Sequence, residues 1–194
     1  MKNNQSERKK SSLPFRLNTK SLLGVISLIT QELIEKFLIK INYKLPKEEE
    51  VLQLVKKHSK FNDPDSVLKI IDDYAYKKTF LMNIGDEKGL YLESAITESN
   101  AKNVLELGVY LGYSSIRILK NLNSKCKLTS IESNKKFAAI ANEHIRIAGL
   151  SENHFLMIGK SNLIIPRLNE KYDFIFIDHW KDLYLSDLKL LEKF

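Results

Sequence analysis

Three carboxylates stand at the carboxyl ends of short apolar runs. Glu106 closes Asn103-Val104-Leu105-Glu106-Leu107-Gly108, Glu132 follows Leu128-Thr129-Ser130-Ile131, and Asp178 follows Phe174-Ile175-Phe176-Ile177. Apolar runs of this length, alternating with helical patterns, read as buried parallel strands. In an open α/β sheet the ligand lies beyond the carboxyl ends of the strands, so the three acids are expected to face one crevice. Such a crevice suits a hydroxylated, partly cationic ligand, with a metal ion as a further candidate.

The loop after the first run is Gly108-Val109-Tyr110-Leu111-Gly112-Tyr113-Ser114. Gly108 permits a tight turn off the strand, Gly112 lets backbone approach a ligand, and Ser114 can cap or bond near the helix start. A plain βα turn without a ligand is the bland alternative. The glycines are spaced G-x-x-x-G and not G-x-G-x-x-G, and Glu106 would repel a pyrophosphate. Both points favour S-adenosylmethionine over NAD. Glu132 lies 24 residues after Gly108, where an acid can take both hydroxyls of a ribose; on its own it would pass for an exposed strand-end carboxylate.

Asp178-His179-Trp180-Lys181 is the third element. A strand-end carboxylate can hold Mg²⁺ through hard oxygen ligation. A lysine three residues on, beside a divalent cation, can act as a base, and Trp180 can form a wall. In isolation the tetrapeptide reads equally as a surface Asp and Lys around a packed Trp.

These residues need a scaffold, and the pattern from residue 102 onward is β-α repeated. Strand 102–107 feeds helix 113–122, strand 127–132 feeds helix 134–148, strand 154–158 feeds a helix around 161–168, and strand 172–177 feeds a helix near 183–193. Asn134 is the expected cap of the second helix and Gly149 its left-handed stop. This rhythm predicts an α/β fold, a parallel sheet with helices on both faces and right-handed connections. Upstream, helices are expected near 50–58, from Pro64 (inward face Val67, Ile70, Ile71, Tyr74), and over 88–99 after a turn at 82–86.

The bulk numbers bound the class. The 194 residues suffice for one domain with a real core. The net charge is +7, yet residues 1–20 hold six Lys/Arg against Glu7, which leaves +2 for the remaining 174. A basic tail, expected to be disordered, therefore sets the charge, and no aromatic-basic interleaving supports nucleic-acid binding. Cys126 is the single cysteine, which excludes a disulfide framework and a cysteine zinc site; it reads as a small apolar residue beside a strand. Ser21 to Gln31 is uncharged but far shorter than the ~20 residues of a spanning helix. Leu22, Val25, Ile26, Ile29, Leu33, Phe37 and Ile41 follow helical spacing, so 21–42 is expected to be an amphipathic helix. It would lie on a membrane surface or pack on the domain, and no Ala-x-Ala-like signal cleavage site follows it.

Met82-Asn83-Ile84-Gly85-Asp86-Glu87-Lys88-Gly89, the glycine loop, Glu132 and Asp178-His179-Trp180-Lys181-Asp182 with Tyr184-Leu185, taken in order, closely resemble the catechol O-methyltransferase family, from roughly Asp63 to Leu191. The resemblance implies a Rossmann-like methyltransferase fold, S-adenosylmethionine as methyl donor, Mg²⁺, and a small catechol substrate. It assigns Asn83, Ile84 and Gly85 to the methionine part of the donor and Glu106, Gly108, Tyr110 and Ser114 to its middle. Glu132 would hold the ribose, Ser161 and Asn162 would flank the adenine, and His179 would lie near the sulfonium. Asp178 would be the first metal ligand and Lys181 the base. Phe80, Met82, Trp180 and Lys181 would contact the substrate, Phe80 standing where relatives usually have Trp and Asn162 where they often have Gln. The domain would occupy 58–194, with 1–57 as tail, helix and linker, in a cytoplasmic protein or one touching a membrane through 1–42.

Two departures shape the expectations. The family's sheet has seven strands, of which four are legible here, and the sequence runs only sixteen residues past Asp178. An Asp-Asn pair completing the magnesium site and a later Glu on the catechol are therefore expected to be missing, leaving 174–177 on an open apolar edge. The alternative to an incomplete enzyme is an inactive chain that binds S-adenosylmethionine or a partner. An NAD-linked oxidoreductase is the third reading.

Overall fold

The computed structural model describes residues 19–40 and 45–192. The chain divides into two units, with the division between Leu45 and Pro46. In the first, helix α1 spans Thr19–Lys40, and Lys36 pairs with Glu32 one turn away at 2.8 Å. The expected disordered tail falls outside the described residues except for Thr19 and Lys20, which open α1; the expected end of the amphipathic helix at 41–42 also falls outside. Among the described residues no helix is long and apolar enough to cross a membrane.

The second unit begins with α2 (Lys47–His58), α3 (Pro64–Lys77) and α4 (Gly85–Ser99). It continues as β1 (Asn103–Leu107), α5 (Tyr113–Leu119), β2 (Lys127–Glu132), α6 (Lys135–Ile147), β3 (His154–Ile158), α7 (Ser161–Ile164), β4 (Phe174–Ile177) and α8 (Tyr184–Leu191). The sheet is wholly parallel in the order β3-β2-β1-β4. Strand order runs outward from β1 to β3 and then jumps back to β4. The loops after β1 and β4 therefore flank the switch point, where open α/β sheets place their ligands.

Local chemistry explains the boundaries. Asn134 accepts from Lys136 N and Phe137 N at 2.9 and 3.3 Å, and Gly149, at φ +78°, takes the left-handed turn after α6. Asp63 caps α3 by accepting from Ser66 N at 3.0 Å, with Pro64 in the first turn. Asp173 Oδ2 accepts from both Lys102 N and Asn103 N, so β1 and β4 begin later than the expected 102 and 172. Pro166, lacking an N–H, divides the expected helix 161–168 into α7 and a 3₁₀ turn, Ile165–Arg167. A second 3₁₀ turn, Lys181–Leu183, precedes α8. Helix α4 starts earlier than expected, at Gly85, and α5 ends earlier, at Leu119.

Alternation along the strands gives two apolar clusters. Val104 and Leu128 join Ile116, Ile118, Ile140 and Ile145 with the buried faces of α2 to α4. Leu105, Leu107 and Ile131 pack instead with Ile164, Ile165, Leu168 and Leu191. Each such side chain contributes roughly 1.5–3 kcal/mol on burial. Cys126 is buried and free, as its position beside a strand suggested. Strand β4 is marginal in the described sheet, and Ile175 remains 37% exposed there.

Candidate active site

The loop after β1 is built on left-handed backbone: Gly108 has φ +92°, Tyr110 +50° and Gly112 +81°. At Gly108 a Cβ would lie 2.7 Å from the backbone O of Asp178 and 2.9 Å from the Cα of His179. Glycine is thus required twice there, for φ and for the close approach of the β4 loop. Gly108 N donates to Ile131 O and Asp178 N to Leu107 O, both at 2.9 Å. These bonds tie the ends of three strands together.

The three carboxylates do not open equally onto one crevice. Glu106 lies inside β1 and is fully buried. Ser114 Oγ donates to its Oε1 at 2.6 Å, while Ser115 Oγ and Ser130 Oγ donate to Oε2 at 2.6 and 2.7 Å. Of the two expectations for Ser114, capping α5 or bonding near its start, the second holds: its hydroxyl serves the acid. Glu132 is 8% exposed. Its Oε2 accepts from Val109 N and Tyr110 N at 3.1 and 3.0 Å, and its Oε1 from Asn134 N at 2.8 Å. Asp178, after β4, is the exposed member of the three.

Burial pushes the Glu106 carboxyl up to about 7; the three serine hydroxyls oppose the rise and the Asp178 charge adds to it. Folding thus favours its protonated form. Between the ordinary 4.5 and about 7 the native state holds a proton that the unfolded chain has released. Its stabilising contribution is complete below pH 4.5 and is lost as pH rises through 7. We expect this to remove roughly 3 kcal/mol over that window. His144 and His154, both pushed down to about 4 by burial, act in the opposite sense. The difference between wild type and Glu106→Gln in urea unfolding, taken from pH 4.5 to 8, isolates the acid; a flat difference curve refutes the shift.

Other expected residues are placed as follows. Phe80, Asn83, Ile84 and Gly85 line one cavity of about 210 Å³ with Asp72 and Tyr76. Asn83 Nδ2 is buried without a hydrogen-bond partner. Tyr110 OH donates to Glu48 Oε1 at 2.8 Å, and its ring meets Phe137 edge-on at 4.9 Å. Ser161 is buried and Asn162 exposed, both in the first turn of α7, and in the preceding loop Gly159 N donates to Glu132 O at 2.9 Å. His179 Nε2 lies 2.7 Å from Asp187 Oδ2, and its ring stacks on Tyr184 at 5.4 Å. Lys181 lies in the exposed 3₁₀ turn. Phe80, Met82 and Trp180 are 73%, 49% and 72% exposed, so Trp180 is not packed as a wall in this structure. Although the residue is exposed, partial desolvation at the strand end raises the Asp178 carboxyl, against the pull of Lys88, His179 and Lys181.

Sequence reasoning passed over several contributors. Ser115 and Ser130 complete the Glu106 cradle. Ser130 pairs with Glu106 across β1 and β2, a neighbour that strand register alone would have pointed to. Asp187, fully buried, orients His179, and His144 Nδ1 lies 2.9 Å from Leu111 O, fastening the far end of the glycine loop.

A glycine turn after β1, an acid at the end of β2 and a third loop at the switch point define a Rossmann-like α/β protein of the methyltransferase type. Two solved structures share this fold. One is the O-methyltransferase TomG from Streptomyces achromogenes in complex with SAM (TM-score 0.60, 23% identity, 65% of this chain and 59% of that one). The other is an O-methyltransferase from Bacillus cereus in complex with SAH (TM-score 0.57, 24% identity, 82% and 66%). The O-methyltransferase family profile matches residues 56–192. The chain is 42% identical to mouse catechol O-methyltransferase over 152 residues, covering 76% of this chain and 57% of that protein. It is 37% identical to catechol O-methyltransferase B of Danio rerio over 174 residues (87% and 66%) and 34% identical to human transmembrane O-methyltransferase over 151 residues (75% and 52%). The protein belongs to the O-methyltransferase family, and it spans between about half and two thirds of the length of these relatives.

Proposed function

We propose that this chain carries the donor half of an S-adenosylmethionine-dependent O-methyltransferase whose acceptor is a small catechol. The observation that carries the reading is the pairing of Glu132, at the tip of β2, with the glycine loop it grips. The residues fit the donor chemically. Glu132 has the acidic oxygens a ribose diol needs. Glu106 offers a buried negative charge to a ligand ammonium, which would return its carboxyl towards the ionised form. Asn83 Nδ2 is buried without a hydrogen-bond partner and could serve the methionine part of the donor. Ser161 and Asn162 at the start of α7 would flank the adenine, and His179, held by Asp187, would lie near the sulfonium.

When bound, S-adenosylmethionine supplies an electrophilic methyl group on a sulfonium. The chain's own part is to orient that methyl, exclude water and move one proton. Gly108, Tyr110, Ile84 and Gly85 would frame the donor, and the exposed side chains of Phe80, Met82 and Trp180 would offer apolar surface to an aromatic ring. Lys181, in its free-amine form, is the group the family resemblance offers to receive the proton of the attacking hydroxyl. Positioning of this kind supplies most of the acceleration in group transfer. Mg²⁺, which the resemblance implies, is not fitted by the described residues. Asp178 stands as one carboxylate, no group of three His, Cys, Asp or Glu able to hold a metal occurs among them, and a hard cation takes six oxygen ligands.

A second reading, donor binding without turnover, is favoured by that lone carboxylate among the described residues. One experiment separates the two. Labelled S-adenosylhomocysteine should bind by equilibrium dialysis, and label from S-adenosylmethionine should then reach catechol and not phenol. Binding without transfer selects the second reading; absence of binding rejects both.

A further inference from the structure

Strands β2 and β3 carry a polar chain leading away from the candidate site. Ser130 lies opposite Glu106 in the β1–β2 register, and its hydroxyl donates to Glu106 Oε2 at 2.7 Å. On its other side, Ser130 Oγ is 3.0 Å from His154 Nε2. His154 in turn lines a hollow of about 330 Å³ with Asn142, Glu143, Arg146 and Ser151. A continuous hydrogen-bonded path thus joins the fully buried acid to a hollow at the β3 margin of the sheet.

Donor counting fixes the direction of these bonds. An ionised carboxylate only accepts, so the single Ser130 hydrogen points at Glu106 and the serine oxygen is left to accept Nε2–H from His154. Once Glu106 is protonated, a carboxyl hydrogen given to Ser130 would turn the serine hydrogen towards His154 and require the other imidazole tautomer. The histidine therefore biases which charge state of Glu106 the hydroxyl serves.

We propose that His154 is a positioning residue for the donor site: through the Ser130 hydroxyl it favours ionised Glu106, and hence the binding of a ligand ammonium group. This rests on the reading that Glu106 meets the cationic end of the methyl donor. The groups facing Glu106 are Ser114 and Ser115 of α5, Ser130 of β2 and Asp178 beyond β4. Across the hollow from His154, Glu143 of α6 is held by Arg146 at 2.8 and 3.1 Å and by Lys56 at 3.2 Å. Burial alone pushes His154 down to about 4, so its ring is a neutral donor near pH 7, where Glu106 changes charge.

The test follows the Glu106 carboxyl by carbon-13 NMR in the unligated full chain, with Glu106→Gln as the assignment control, and measures S-adenosylhomocysteine affinity in parallel. His154→Val and Ser130→Ala are expected to raise the Glu106 midpoint by about 0.5–1 pH unit, a roughly three- to tenfold change in proton affinity. His154→Gln, which keeps an N–H donor, should restore most of it. Affinity for S-adenosylhomocysteine should fall by about two- to fivefold at pH 7, as the ionised fraction of Glu106 falls, and converge on wild type at pH 9. A purely structural role would lower the melting temperature without moving the midpoint. An unchanged midpoint in His154→Val overturns the proposal even where Ser130→Ala, which removes a direct bond to Glu106, shifts it. Midpoints that move while affinity ignores pH keep the His154–Ser130–Glu106 coupling and instead refute Glu106 as the donor's acidic partner.

Discussion

Glu132→Ala is expected to weaken S-adenosylhomocysteine binding by roughly 10²–10³-fold, at about 1.5–3 kcal/mol for each hydrogen bond lost to a charged group. The substitution removes the acid proposed to hold the ribose, and it also releases the loop that frames the ligand. Val109 N and Tyr110 N both donate to Glu132 Oε2, and their buried N–H groups would be left without that acceptor. Tyr110 needs the restraint most, because a non-glycine residue at φ +50° is held there by its surroundings. Glu132→Gln keeps the shape but turns an amide N–H₂ towards either the loop donors or the ribose, so an intermediate loss is expected. Calorimetric titration of the three proteins checks the series. A Glu132→Ala protein that binds within threefold of wild type would end the ribose assignment.

Gly108→Ala is expected to destabilise the fold by roughly 2–4 kcal/mol, the range for an L residue forced into left-handed backbone and into a collision at once. Its Cβ would sit 2.7 Å from Asp178 O, and neither partner is a flexible side chain that can swing aside. Gly85 provides the control. It also has positive φ, +74°, but a Cβ there meets nothing within 4 Å. Gly85→Ala should therefore cost only the backbone strain, about 1 kcal/mol. Urea midpoints for the pair separate strain from contact; equal losses would show that the close approach of the β1 and β4 loops is not real.

The parts of this architecture legible in sequence are those governed by short-range rules. Apolar runs ending in Glu132 and Asp178 gave strands whose ends match closely, and Asn134 and Gly149 bound α6 as capping chemistry requires. The missed boundaries have specific causes: Asp173 reaches back to the N–H groups of Lys102 and Asn103, and Pro166 interrupts a helical pattern. The site was legible in its residue types but not in its depth. Glu106 sits at a position where period-two alternation marks a face, yet nothing local says that α5 will close over it with two serines. His144 and His154 carried no signal at all, because their partners, Leu111 O and Ser130 Oγ, come from other elements. The basic N-terminal tail remains an expectation from composition alone.

Cys126 gives the molecule a built-in reporter. It is the only sulfhydryl in the chain, and it lies buried at the entrance to β2, the strand that ends in Glu132. An alkylating reagent can reach it only when that part of the sheet opens, so the labelling rate counts opening events directly. Because the same strand presents the proposed ribose acid, a ligand that steadies Glu132 should also slow that clock, and donor occupancy becomes readable by mass without any assay of turnover.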